Sequence, residues 1–191
     1  MITLLAAGHE TTATTLAWAV ERLQRHPQLL DRLTAELDDG SEELLHATIL
    51  EVQRTRPVVD QTFRQVKATT LQIGPWTFPQ GHTIVASIGL LHGDETVFPD
   101  AHRFDPDRFI SRPPDPAAWI PYGGGVRRCI GAAFATMEMR VVLRILLRDY
   151  AISPTSARGE PSRSRGVAIA PGRGALVRIQ PRRRPAAVTA G

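Results

Sequence analysis

Four stretches of the chain read as helices, three of them on apolar residues at helical spacing. In the first, Leu16, Ala19, Val20 and Leu23 stand at i, i+3, i+4 and i+7, which places them on one helix face. This helix ends at His26, because the residue before a proline avoids the helical region and Pro27 follows. No capping residue precedes Ile2, so the sequence opens inside the helix. A second helix carries Leu29, Leu33 and Leu37 on one stripe and stops at Asp38-Asp39-Gly40. A third covers residues 41–56 and ends before Pro57. The fourth covers residues 132–150, with Ala132, Ala135, Met139, Val142, Leu143, Leu146 and Leu147 in helical register. Between the third and fourth the pattern shortens. Residues 69–73, 76–78 and 83–87 read as strands, broken by Gly74-Pro75 and Pro79-Gln80-Gly81. Residues 111–118 and 153–165 read as loops. Pro171-Gly172-Arg173-Gly174, set between residues 167–169 and 175–179, signals a hairpin. The pattern predicts a mainly helical domain with a small β part and no internal repeat.

Composition changes this picture little. The 191 residues are 42% hydrophobic and 22% charged, as in a folded globular domain. The apolar start, residues 1–7, is too short to span a membrane, His9 and Glu10 interrupt it, and no signal peptide is evident. The net charge of +4 is unevenly spread. Residues 158–184 hold eight arginines and one glutamate, a local +7, which leaves −3 for the rest. The basic character therefore belongs to the end of the chain and does not mark a nucleic-acid surface. Residues 182–191 are expected to be a basic, disordered tail, and residues 1–181 the domain. One cysteine suits the reducing cytoplasm.

That cysteine, Cys129, concentrates the chemistry. It closes the stretch Trp119-Ile120-Pro121-Tyr122-Gly123-Gly124-Gly125-Val126-Arg127-Arg128-Cys129-Ile130-Gly131. A lone cysteine forms no intrachain disulfide, and zinc asks for several ligands. A core thiol, a nucleophile and a single thiolate ligand to a metal held by something else remain open. The third option has local support. The following helix turns its N-terminus toward Cys129, where dipole and free N–H groups favour a thiolate. Gly123, Gly124, Gly125 and Gly131 allow tight turns and close approach of a flat ligand. Haem iron is such a metal, since the porphyrin supplies its in-plane ligands.

Tyr122-Gly-Gly-Gly-Val-Arg127-Arg-Cys129-Ile-Gly131 resembles the haem-binding loop of the cytochrome P-450 family, Phe-Gly-x-Gly-x-Arg-x-Cys-x-Gly, departing only in Tyr122 for Phe. Ala6-Ala7-Gly8-His9-Glu10-Thr11-Thr12 resembles the family's oxygen-binding helix, read as a local opening with an acid and a hydroxyl beside it. Glu51-Val-Gln-Arg54 resembles its Glu-x-x-Arg motif, and Phe104-Asp-Pro106-Asp107-Arg108-Phe109 its later Arg-bearing segment. The resemblance covers essentially the whole chain but only the C-terminal half of the family's fold, entered within the long central helix.

The resemblance implies a haem-thiolate monooxygenase of the bacterial soluble type. It would insert one oxygen atom of dioxygen into a small apolar organic substrate. Haem b (iron protoporphyrin IX) is the implied cofactor, with electrons from NAD(P)H through a ferredoxin or similar partner. No nucleic acid or membrane is implied, and the location is cytoplasmic. By the same resemblance Cys129 is the axial metal ligand, with Tyr122, Gly123, Gly125 and Gly131 forming the cofactor loop. Arg127 and Arg64 meet the propionates. Glu10 and Thr11 are the proton-delivering pair, Glu51, Arg54 and Arg108 a buried ion-pair network, and Ala7, Val58 and Val59 border the substrate. His92 reads as structural, since no second ligand is spaced to help it. The truncated chain by itself is expected to be inactive and to expose Leu4, Leu5 and Leu16 as an apolar patch. A non-catalytic haem-binding or sensing module, or an inert fragment without haem, are the alternatives.

Overall fold

The computed structural model describes residues 2–110 and 112–182. Its body is built from helices α1 (Ile2–Leu23), α2 (Pro27–Asp38), α3 (Glu43–Thr55), the short α4 (Ile88–His92) and α5 (Ala132–Asp149). Trp18, Leu23, Leu33, Leu45, Leu143 and Leu147 meet in one core between the four long helices. Burying each such side chain is worth about 1.5–3 kcal/mol. Leu16 packs against this core, so it is not part of an exposed patch, whereas Leu5 is exposed. The Leu4 side chain lies outside the described residues. On α5, Val142 points outward and joins Phe134, Met137, Val141 and Ile145 on an uncovered apolar face. Its place at the edge of the stripe, next to Leu143, made the helical period alone insufficient to assign it.

Helix α3 is buried on nearly every side. Leu45, Ile49 and Val52 face the main core, while Ala47 and Leu50 pack against Phe98, Ala101 and Phe109. Its polar residues Thr48, Glu51, Gln53 and Arg54 are therefore buried too. Each must find a partner inside the protein.

Four antiparallel pairs complete the fold. Strand β1 (Gln61–Gln65) pairs with β4 (Thr83–Ser87), and β2 (Thr70–Ile73) with β3 (Trp76–Pro79). β5 (Tyr150–Ile152) pairs with β8 (Ile179–Pro181), and β6 (Ser162–Arg165) with β7 (Ala168–Pro171). The hairpin expected around residues 171–174 does not form, and the loop expected over 153–165 contains a strand. The turn lies instead at Gly166-Val167, where Gly166 takes φ +63°, a two-residue connection suited to glycine. Tertiary contacts fix β7. Ala168 and Ala170 are buried, Ile169 N–H donates to Val58 O, and Trp18 Nε1 donates to Ile169 O. Arg182, expected in a disordered tail, is docked by its N–H to Asp149 O and its guanidinium to Leu147 O and Asp38. Residues 183–191 of that expected tail lie outside the described residues.

Candidate functional site

The site is assembled on α3. Glu51 and Arg54, one turn apart, form a two-pronged pair, with Arg54 Nε to Glu51 Oε2 at 2.8 Å and Nη2 to Oε1 at 2.7 Å. The remaining guanidinium protons go to the carbonyls of His92, Ala101 and Arg103. Arg108 Nε reaches Glu51 at 3.3 Å, and the Asp105 N–H donates to Glu51 Oε1 at 2.9 Å. The three ionic residues thus lie together, and between them they clasp the backbone of residues 92–108 onto α3.

The next segment hangs from the same helix. Trp119 Nε1 donates to Leu50 O at 3.1 Å, and the Ile120 N–H donates to His92 Nε2 at 3.0 Å. A backbone amide can only donate, so Nε2 is the acceptor and Nδ1 carries the proton, which faces Arg54 O at 3.2 Å. Burial pushes the His92 pKa down to about 4, with the nearby Arg54 charge adding to the effect against the hydrogen bond to Arg54 O. His92 is therefore neutral, with both nitrogens spent on backbone.

From Trp119 the chain reaches the cysteine loop. Gly123 and Gly125 adopt φ +69° and +61°, which side-chain-bearing residues resist. Gly125–Arg127 is one 3-10 turn, and the Cys129 N–H donates to Tyr122 O at 2.9 Å, closing the loop. Gly131 is the N-cap of α5, so Cys129 sits two residues ahead of it. The thiol is exposed, and so are Val126, Ile130 and Phe134 around it. Arg127 makes no hydrogen bond or ion pair among the described residues. Beside the loop a groove of about 880 Å³ opens between α3 and α5. Glu42 spans it to Arg140 at 2.7 Å and Arg144 at 2.8 Å. The Arg140 hydrogen bond foremost, then that of Arg144, holds the Glu42 carboxyl below its usual range against the opposing effect of burial.

These features fit a flat, metal-bearing macrocycle. The donor is one soft thiol, framed by apolar side chains and an uncommitted guanidinium. A side chain built on Gly123, Gly124 or Gly125 would meet nothing within 4 Å, so the loop presents open space on that side. Among the described residues no group of three or more His, Cys, Asp or Glu could hold a metal ion by itself. The metal's other ligands would have to come with it.

The other candidates lie apart. No hydrogen bond or ion pair joins Glu10, Thr11 or Arg64 to the cysteine loop among the described residues. α1 runs as unbroken helix through Ala7, Glu10 and Thr11, so the expected local opening is not there. Thr11 Oγ1 donates to Ala7 O at 2.8 Å, a bond that satisfies the hydroxyl within the helix. Arg64 lies in β1 with its guanidinium on Thr62 and the Phe63 carbonyl. Val58 is buried in the core, its carbonyl accepting the Ile169 N–H, and it does not line the groove between α3 and α5; Val59 is half-buried. Gln53, Thr136, His92 and Trp119, which turn out to position the loop, carry no motif that singles them out in the sequence.

Comparison with known proteins shows the family to which the chain belongs. The family model for cytochrome P450 matches residues 1–177. A Mycobacterium tuberculosis protein provisionally named cytochrome P450 138 is 55% identical over 177 residues, covering 93% of this chain and 40% of the relative. Another from the same organism, provisionally named cytochrome P450 135B1, is 44% identical over 186 residues, covering 94% and 39%. Among solved structures, a cytochrome P450 (CYP102L1) superposes with TM-score 0.82 at 26% identity, covering 94% of this chain and 44% of that one. A zebrafish cytochrome P450 solved with abiraterone gives 0.79 at 29% identity, covering 91% and 45%. The chain belongs to the cytochrome P450 family, and it spans about 40% of the length of the curated relatives it matches.

Proposed function

We propose that this chain supplies the thiolate side, and part of the oxygen-binding helix, of a haem-dependent monooxygenase. The observation that carries the reading is the exposed Cys129 thiol on a glycine-turned loop, framed by apolar residues and the free Arg127. Cys129 would hold the iron of haem b through its thiolate sulfur. Tyr122, Gly123, Gly125 and Gly131 shape the loop beneath the cofactor, and Arg127 and Arg64 are the cationic partners for its propionates. Bound haem supplies the oxygen-activating redox chemistry, drawing electrons that originate in NAD(P)H through a separate carrier such as a ferredoxin.

The protein's own part is to hold, orient and deliver protons. Thr11 gives its hydroxyl proton to Ala7 O, which leaves its oxygen lone pairs available to accept. Glu10 is its exposed neighbour in the sequence. For delivery, the Thr11 hydroxyl would turn from Ala7 O, accept a proton on its oxygen and pass on its own. Val59 and Ala7 border a small apolar organic substrate. Residues 1–181 are the domain portion that performs these roles. No helix of the described residues is long and apolar enough to cross a membrane, and a single free thiol suits the cytoplasm we assign.

The test is the absorption spectrum of the ferrous–CO complex of this chain joined to the remaining length of a relative and loaded with haem. The wild type is expected to give the band of thiolate ligation and Cys129→Ser to lose it. The same band in the variant would end the assignment of Cys129.

A further inference from the structure

Tyr122 stands where the resembling loop has phenylalanine, and its hydroxyl is not idle. Gln53 Nε2 donates to it at 2.6 Å, and Thr136 Oγ1 lies 3.3 Å away. The direction of the second bond follows from its neighbours. Thr136 spends its one hydroxyl proton on Ala132 O at 2.9 Å, so Tyr122 must be the donor toward Thr136. A directed chain results: Gln53 N–H to Tyr122 oxygen, Tyr122 O–H to Thr136 oxygen, Thr136 O–H to the first carbonyl of α5.

The partner on α3 has no substitute. Gln53 is only 4% exposed, and its Oε1 is buried without a hydrogen bond. Its single side-chain bond is the one to Tyr122, so loss of that hydroxyl leaves the whole amide orphaned. At the other end of the same residue, the Tyr122 carbonyl accepts the Cys129 N–H. Tyr122 therefore grips the cysteine with its backbone and two helices with its ring oxygen. The ring itself is held by the Trp119 edge at 6.1 Å and the Arg128 guanidinium at 5.9 Å.

We propose that the Tyr122 hydroxyl, through Gln53 and Thr136, is the polar tether that seats the Cys129 loop on α3 and α5, making Tyr122 a positioning residue for the ligand thiolate. Its functional meaning rests on the reading of Cys129 as haem ligand. The tether itself does not.

Hydrogen exchange of the full chain tests it. The Cys129 amide reports the loop, and the Leu143 amide in the core reports global opening. In Tyr122→Phe the Cys129 amide is expected to exchange about tenfold faster relative to Leu143, the scale of one lost buried hydrogen-bond partner. Adding Gln53→Leu removes the orphaned amide. Resistance to urea should then recover while Cys129 exchange stays fast, a split that a merely structural tyrosine would not produce. An unchanged Cys129 rate in Tyr122→Phe, or one that rises only in step with Leu143, overturns the tether. So does a double variant in which both readouts recover together. Absence of the thiolate ferrous–CO band in the unsubstituted chain joined to the remaining length of a relative would overturn the haem reading instead, and the exchange result would stand apart from it.

Discussion

Glu51→Gln is the perturbation whose cost the structure defines best. Glu51 is 0% exposed and the Arg54 side chain 1%. The carboxylate accepts two bonds from Arg54, one from the Asp105 backbone and one from Arg108. An amide of the same shape has one accepting oxygen, so its NH2 must face an N–H donor. The charge that balances the buried guanidinium is also gone. Three carbonyls still hold Arg54, but neutral acceptors only partly compensate a buried cation. Breaking a buried pair by removing one partner costs about 3–5 kcal/mol, against a total stability of about 5–15 kcal/mol for a typical domain. With a urea slope of about 1–3 kcal/mol per molar, the unfolding midpoint followed by circular dichroism should fall by about 1–5 M. Arg108→Ala should lose less, about 1–2 kcal/mol, because its Nε shares the two Glu51 oxygens at 3.3 Å, its side chain is 14% exposed, and its other bonds go to the carbonyls of Pro99 and Asp100. Replacing the pair together, Glu51→Leu with Arg54→Met, should recover part of the loss, since no charge is stranded. A Glu51→Gln midpoint within the error of wild type would refute the reasoning.

Three further outcomes are expected. His92 has a folded pKa of about 4 against an ordinary 6.5, so the unfolded chain binds its proton first as pH falls. Its contribution is full above pH 6.5 and is lost towards pH 4, by about 3 kcal/mol; urea midpoints at both ends should diverge less in His92→Gln, and equal pH dependence in the two proteins would refute this. In this chain joined to the remaining length of a relative and loaded with haem, Thr11→Ala should keep the cofactor but release more peroxide per electron pair, and unchanged coupling would remove Thr11 from proton delivery. Residues 1–191 alone should bind haem weakly and aggregate: the thiol and its apolar frame are open, as is the outer face of α5, and each exposed Å² of apolar surface forfeits about 25 cal/mol. Stoichiometric haem on a soluble monomer with coupled turnover would contradict that.

The sequence was readable where a local pattern has a local cause. Helical spacing placed α1, α2 and α5 because each buries a stripe, and the glycines before Cys129 marked turns because two of them take positive φ. Residues 167–179 misled for the opposite reason. Pro171-Gly172-Arg173-Gly174 is good turn chemistry, yet the strands follow burial of Ala168 and Ala170 against α1, which no neighbour in sequence reveals. β1 escaped notice as well. Its residues are mostly exposed and carry no alternation, and only pairing with β4 makes them a strand.

Burial of α3 explains what stayed hidden in the site. The i,i+3 spacing of Glu51 and Arg54 is the same whether the pair faces water or protein, and spacing cannot price a charge whose solvent is unknown. Here protein surrounds the helix, so every polar group on it has to be answered by chain that arrives later. Residues 92–108 answer Glu51 and Arg54, Trp119 answers the Leu50 carbonyl, and Tyr122 answers Gln53 from 69 residues away. The need for partners on α3 therefore decides where the cysteine loop sits. A hydroxyl in place of a ring hydrogen at residue 122 looks conservative along the chain. In space it supplies the only side-chain hydrogen bond of a buried amide among the described residues, and that makes it a determinant of the site.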